Sequence, residues 1–283
     1  MKTNNKRLKR FRRLFNKKSK PIIGMIHLKP LPGSPNHSLS IPEIIAAAVD
    51  DFNALVMGGI DGVLIENYHD NPYHATECDT YTNSIITLIV KALQKRTNIP
   101  IGINILRNAC SDALKIAQIT NADFIRCNIF TGAYVTDQGI IQGCARKLQT
   151  IKKNWSLRLE NNYTNTLIFA DVFCKHATPI ASRNINYEIA DAFNRGLADA
   201  IIITGNKTGE PIDLETLQNL YQENKSSPII LGSGLTSDNA EQLLEYADGA
   251  IVGTFTKKDH LIEKPVDTKN VQKLMKIIEE KWR

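Results

Sequence analysis

The stretch PIILGSGLTSDNAEQLLEYADGAIVGT, residues 228–254, decides the reading of the fold. It opens on Pro228-Ile229-Ile230-Leu231, an apolar run short enough for a buried parallel strand. The run stops at Gly232-Ser233-Gly234. Thr236, Ser237 or Asp238 can then cap a helix that carries Leu243 and Leu244. A second apolar run, Gly249-Ala250-Ile251-Val252, stops at Gly253-Thr254. Glycines let backbone N–H groups approach an anion, and in an eight-stranded α/β barrel the loops after strands seven and eight commonly bind phosphate. Taken singly, each glycine motif needs to be no more than a tight turn. Their order at the end of a long series of strands and helices favours a phosphate cup.

Upstream, strand and helix signals alternate. Strands are expected at Pro21–His27, Ile60–Glu66, Pro100–Leu106, Asp123–Phe130, Leu167–Phe173 and Asp199–Thr204, ahead of the two above. Helices are expected at Ile41–Met57, Thr80–Arg96, Cys110–Thr120, from Gly143 to Asn154, at Ile185–Gly196, at Leu214–Gln222 and at Val271–Lys281. Thr131–Gly143 reads as a long loop of the kind that forms lids. Eight such units point to an α/β, single-domain (β/α)8 TIM barrel over residues 21–283. A doubly wound open sheet is the alternative.

With 42% apolar and 23% charged residues, the 283-residue chain can bury a full core. No apolar run approaches the ~20 residues that span a bilayer. The formal charge of +6 comes from one end: residues 1–20 hold ten Lys and Arg and no acid, and the remainder carries 25 basic against 29 acidic residues. Leu8, Phe11 and Phe15 share one helical face within this segment. It reads as a disordered extension or an amphipathic helix, dispensable for folding, that contacts an anionic membrane or targets the chain to an organelle. Nucleic acid is not expected, because no basic patch interleaved with aromatics occurs elsewhere. The five cysteines, at 78, 110, 127, 144 and 174, show no CxxC spacing, so neither a disulfide framework nor a metal site is assigned. Cys127 and Cys174 fall on strands and read as packing residues. Such cysteine usage fits a reducing, cytoplasmic setting.

Barrel enzymes build their sites at the carboxyl ends of the strands. The polar residues there are His27, then Glu66 and Asn67, then Asn104 and Arg107, then Arg126 and Asn128, then Asp171 with Lys175 and His176, then Thr204 and Gly205, followed by Lys207-Thr208-Gly209-Glu210. Asp171, Lys175, His176 and Glu66 are the candidates for acid–base or Schiff-base chemistry. His27, Asn67, Asn104, Arg107, Arg126, Asn128, Asp137 and Thr204 are the candidates for substrate binding. Gly205, Gly232, Ser233, Gly234, Gly253 and Thr254 are the candidates for phosphate. The plainer reading of Arg126 and Asp171 is a buried structural pair.

The segments GMIHLKPLPGSP (24–35), LIENYHDNPY (64–73), GINILRN (102–108), FIRCNIFTGAYVTDQGIIQG (124–143), ADVFCKHATP (170–179), ADAIIITGNKTGEP (198–211), LGSGLT (231–236), YADGAIVGTFTK (246–257) and KPVDTKNV (264–271) resemble the BtpA/SgcQ family. The resemblance runs from about residue 21 to the end and leaves out the basic segment. It implies a TIM barrel with a phosphate site. One branch of that family resembles a photosystem I biogenesis factor extrinsic to the thylakoid membrane; another is associated with sugar-phosphate metabolism. This chain departs from the family pattern at Asn108-Ala109, where Asn-Asp is usual, with Asp112 as a candidate replacement, and at His69, where Gly is usual. The expectation is a protein that binds a phosphorylated small molecule, acting as a lyase or isomerase on a sugar phosphate or nucleotide-like ligand with no cofactor identified, and open to homo-oligomer formation. The alternative is a non-catalytic photosystem I biogenesis factor, peripheral to the thylakoid membrane.

Overall fold

Eight short apolar runs close into a parallel barrel. The computed structural model describes residues 2–158, 166–181, 183–205, 211–225 and 227–283. The elements in chain order are α1 (Lys2–Leu14), β1 (Ile22–His27), α2 (Ile41–Met57), β2 (Gly62–Glu66), α3 (Thr80–Gln94), β3 (Ile101–Asn104), α4 (Cys110–Thr120) and β4 (Phe124–Cys127). Then come β5 (Ala133–Thr136), β6 (Gly139–Gln142), α5 (Ala145–Arg158), β7 (Leu167–Val172), β8 (Ala177–Pro179), α6 (Ile185–Ala190) and β9 (Ala200–Ile203). The chain ends with α7 (Leu214–Glu223), β10 (Ile229–Leu231), α8 (Ala240–Leu244), β11 (Gly249–Val252) and α9 (Thr268–Trp282). The barrel runs β1-β11-β10-β9-β7-β4-β3-β2 and closes on itself, so no edge strand is left. The open-sheet alternative is thereby set aside.

Local chemistry explains the helix starts. The Glu43 carboxylate accepts from the Ser40 backbone N–H at 2.8 Å, and Pro42 lies in the first turn of α2. Asp79 accepts from the Thr82 N–H at 2.9 Å to cap α3. Strand residues alternate between two cores. Ile23, Met25, Leu64, Phe124, Phe169, Ile202, Ile230 and Ile251 fill the lumen, and their neighbours pack outward on the helices.

One device repeats four times at the amino end of the barrel. Asp61, Asp123, Asp199 and Asp248 each precede every second strand. Each carboxylate accepts a backbone N–H at the start of the preceding barrel strand, at Ile22, Ile101, Ile168 and Ile229, over 2.8 to 3.0 Å. Each aspartate's own N–H donates to the carbonyl of that same residue. The carboxylate thereby pairs an amide that the barrel leaves open at its floor.

This acidic floor corrects the reading of residues 1–20 as a detached tail. Residues 2–14 are helical, and α1 lies under the barrel. Arg10 pairs with Asp199 at 2.6 Å, and Lys18 with Asp61 at 2.8 Å. Phe11 and Phe15 are buried to 2% exposure and enter the lumen core. Phe11 meets Phe169 at 5.8 Å between ring centres, and Phe15 meets Phe124 at 6.5 Å, while Phe124 and Phe169 stack at 4.6 Å. The apolar face that sequence offers to a membrane is therefore covered by the barrel itself. Among the described residues no helix is long and apolar enough to cross a membrane.

Three further elements differ from expectation. The expected long loop at 131–143 is a hairpin, β5–β6, joined by β8 into a three-stranded antiparallel sheet. Tyr134 and Ile141 turn inward, while Val135 and Ile140 stay exposed. The helix expected through Gly196 changes at Asp191 into a wider π turn ending at Arg195. The helix after Gly234 starts only at Ala240 and is five residues long, because the Asn239 side chain accepts the Thr236 N–H at 2.8 Å and holds a turn instead. Any anion held at the Gly232–Thr236 segment would rest on loop amides, not on a helix dipole.

Candidate active site

Alternation along each strand sets the top inward layer of the barrel. Two residues beyond the inward position of each strand, an apolar side chain in all but β3, where it is Gly102 against the Phe124 ring, stand His27, Glu66, Asn104, Arg126, Asp171, Thr204, Gly232 and Gly253. Above them opens a cavity of about 710 Å³. Glu66, Arg107, Arg126, Asn128, Asp137, Lys175 and His176 line it, with Gly232, Ser233, Gly234, Gly253 and Thr254 across from Arg126 and His27 beside Gly253. Asp137 reaches it from the β5–β6 turn.

Asp171 is fully engaged. Arg126 donates to its two oxygens from Nε at 2.9 Å and Nη2 at 3.0 Å, and Asn128 Nδ2 donates at 2.9 Å. Its side chain is 1% exposed, so it anchors the guanidinium and does not itself line the cavity. Asn104 likewise stands behind the lining, donating from Nδ2 to Glu66 Oε2. Asn67 supports the loops: its Oδ1 accepts from the Leu106 N–H at 2.8 Å and its Nδ2 donates to Asp70 at 3.0 Å. Thr204 and Gly205 are not among the lining residues, and 206–210, where Lys207 to Glu210 fall, lie outside the described residues.

Electrostatics divide the lining groups. Burial, reinforced by the Arg126 guanidinium, lowers the Lys175 ammonium to about 8. Burial raises the Glu66 carboxyl, with Arg126 and the Asn104 hydrogen bond opposing it. His27 sits well below the usual histidine range through burial and the nearby Lys257, so it is neutral; its Nε2 lies 3.9 Å from Glu66. Burial, with Asp171 nearby, pushes the Cys174 thiol up to about 12, so it stays protonated. The site thus holds an amine that gives up its proton more easily than usual and a carboxyl that holds its proton more tightly than usual.

Several buried polar atoms here have no protein partner: His27 Nδ1, Arg107 Nε, Asn104 Oδ1, Asn128 Oδ1 and Thr204 Oγ1. An orphaned buried polar atom costs about 1–3 kcal/mol, and native folds keep few of them. On the other side, Gly234 has a φ of 76°, which a side chain would strain. A side chain at Gly253 would come within 3.0 Å of the His27 ring.

Sequence reasoning missed Tyr68, whose ring lies 4.9 Å from that of His27, and also Tyr73, Phe255 and His260 in the lining. The signal for Tyr68 and Tyr73 was their place directly after Glu66-Asn67. Asp112, the candidate replacement for the acid absent at Ala109, accepts the Cys78 N–H at 3.2 Å and is not among the lining residues.

Fold and site together define a single-domain (β/α)8 barrel with a polar cavity at its carboxyl rim. The chain belongs to the BtpA family, whose sequence profile matches residues 18–280. An uncharacterised protein of Pyrococcus furiosus is 40% identical over 258 residues, 91% of this chain and 94% of its own length. The photosystem I biogenesis protein BtpA of Synechocystis is 39% identical over 247 residues, 87% of this chain and 84% of its own length. Among solved structures, N-(5'-phosphoribosyl)anthranilate isomerase from Pyrococcus furiosus superposes with a TM-score of 0.55 at 12% identity, over 92% of this chain and 99% of its own. A likeness at that identity shows the fold alone.

Proposed function

We infer that the chain binds a phosphorylated small molecule, such as a sugar phosphate, and acts on it as an isomerase or lyase by acid–base chemistry. The observation that carries this reading is the two-sided cavity: glycine-rich backbone on one wall, and on the other Arg126, Glu66 and Lys175 among unpartnered buried atoms. The phosphate rests on the amides of Ser233 and Gly234 and of Gly253–Thr254, the Gly232 N–H being held by the Ile203 carbonyl at 2.8 Å. Arg126, fixed by Asp171, and Asn128 orient the polar body of the ligand. Lys175 as free base takes a proton from carbon next to a carbonyl, and Glu66 returns one to oxygen. Asp171, held by three hydrogen bonds, has a positioning role in this scheme. His176 is exposed at the mouth of the cavity and meets the ligand as it enters. The solved structural neighbour is named for a phosphoribosyl substrate, which agrees with this ligand class.

The alternative, an assembly factor for photosystem I, is favoured by the name of the Synechocystis relative. The basic segment expected to carry that role packs its phenylalanines under the barrel.

A thermal-shift panel of phosphorylated metabolites beside their dephosphorylated forms tests the reading. Ligand at a hundred times its Kd stabilises by about 2.7 kcal/mol, a rise of several degrees. Gly234→Asp and Gly234→Asn make the companion test. Both residues enter the left-handed region more readily than others, so they share most of the strain and differ in charge. We expect at least a tenfold further loss of phosphate affinity in the aspartate variant. Equal affinities in the two folded variants would remove the phosphate from this wall.

A further inference from the structure

Three cysteines far apart in sequence meet behind the site. Cys110 is the first residue of α4, Cys127 the last of β4, and Cys144 directly precedes α5. Their sulfurs all lie within 4.8 Å of one another, and Cys127 and Cys144 are 3.3 Å apart. Cys110 and Cys127 are buried and Cys144 is half-buried. The cluster sits on the outer face of β4, opposite the lumen face of Arg126 and Asn128.

We propose that Cys110, Cys127 and Cys144 form a three-thiolate site for Cu(I). With metal–sulfur bonds of about 2.3 Å, a trigonal ion spaces its sulfurs about 4.0 Å apart. The Cys127–Cys144 separation of 3.3 Å is shorter than that and no pair exceeds 4.8 Å, so side-chain rotation without backbone rearrangement can bring the three sulfurs to one ion. Among the described residues no histidine or carboxylate joins the cluster. Structural zinc takes four protein ligands almost without exception. Thiolates with no harder donor select a soft ion, and Cu(I) accepts three. Each thiol that binds releases its proton to solvent. The negative charge that develops lies at the amino ends of α4 and α5, eleven and fourteen residues long, which favour it. Cys144 is the way in. Cys110 Sγ now donates to Asn108 Oδ1 at 3.1 Å, and Asn108 also accepts the Ile129 N–H at 2.8 Å. An ion here therefore ties the carboxyl end of β4, which carries Arg126 and Asn128, to two helices.

The experiment uses full-length reduced protein without oxygen and Cu(I) presented as a coloured bicinchoninate complex. One Cu(I) per chain should pass from the chelator to the protein. Cys144→Ser, at a half-buried position that tolerates the change, should lower the affinity at least tenfold, as should Cys110→Ser. Cys78→Ser, away from the cluster, should leave it unchanged. In the wild-type protein, Cu(I) should protect residues 110, 127 and 144 from alkylation, read by mass spectrometry with no variant needed. No transfer from the chelator, full affinity in Cys144→Ser, protection at other cysteines, or tighter binding of Zn(II) than of Cu(I) would each overturn the assignment.

Discussion

Replacing Phe11 or Phe15 by alanine lowers the thermal midpoint by about 10 °C, although both lie in a segment that reads from sequence as a dispensable basic extension. Each ring is buried to 2% and touches the barrel's own aromatic core at Phe169 or Phe124. Phenylalanine-to-alanine changes in cores cost about 3–5 kcal/mol, because the cavity left behind adds to the lost transfer energy. In a chain of this size 1 kcal/mol corresponds to about 2–4 °C. The two rings lie 5.2 Å apart, so the double variant should lose less than the sum of the single losses. Arg13→Ala, an exposed change on the same helix, should stay within about 0.5 kcal/mol. Calorimetry or circular dichroism melting checks all four proteins. A double variant melting within a degree or two of wild type would mean that α1 is a detachable tail after all. The helix lies wholly ahead of the family-matched residues 18–280, so the family profile covers the acidic floor but not the helix packed under it.

The second large effect concerns Lys175. Lys175→Met should cut turnover by about 10²–10⁴-fold while affinity for the phosphorylated ligand survives. The sign of the pH dependence follows from its lowered pKa of about 8. Below pH 8 the ammonium dominates and cannot accept a proton, so kcat/KM should rise with pH and level off above 8. In Lys175→Met that limb should vanish. Stability should also rise with pH, but over a higher window. The folded state holds this lysine's proton less tightly than the unfolded chain does, whose ordinary value is 10.5. Wild-type stability therefore rises between pH 8 and 10.5 as the folded state loses the proton first. Below pH 8 the methionine variant removes a partly buried cation and should melt no lower than wild type. Borohydride trapping with substrate separates a Schiff base from simple proton transfer. Full turnover in Lys175→Met would exclude the lysine as the base.

The order of elements and the chemistry of the rim were legible in the sequence. Apolar runs of four to six residues, each ended by a polar residue or a glycine, announce buried parallel strands with their carboxyl ends at a site. The period of two does the rest. Knowing that Leu64, Phe124 and Phe169 point inward places Glu66, Arg126 and Asp171 inward as well. Helix boundaries at Ile41–Met57 and Cys110–Thr120 agree with sequence expectation to the residue, because apolar spacing and stop residues such as Gly58 are local signals.

What lay outside the sequence were contacts between segments remote from each other. Ten cations and no acid at the chain start describe a charge, not its partner. Only the closed barrel brings Asp61 and Asp199 into one floor, 43 residues from Lys18 and 189 from Arg10. The Asp that precedes every second barrel strand is visible four times in the sequence, yet its bond to an amide at the start of the previous barrel strand exists only once neighbouring strands are parallel and in register. The pairing of Arg126 with Asp171 is one of two readings the sequence offers; strand adjacency decides between them, and bidentate geometry makes Asp171 an anchor. Cys110, Cys127 and Cys144 show no ligand spacing, because their approach depends on how α4 and α5 pack against β4. Local periodicity reports which face a side chain takes, while the groups it meets across the fold are set by closure of the barrel and the packing of its helices.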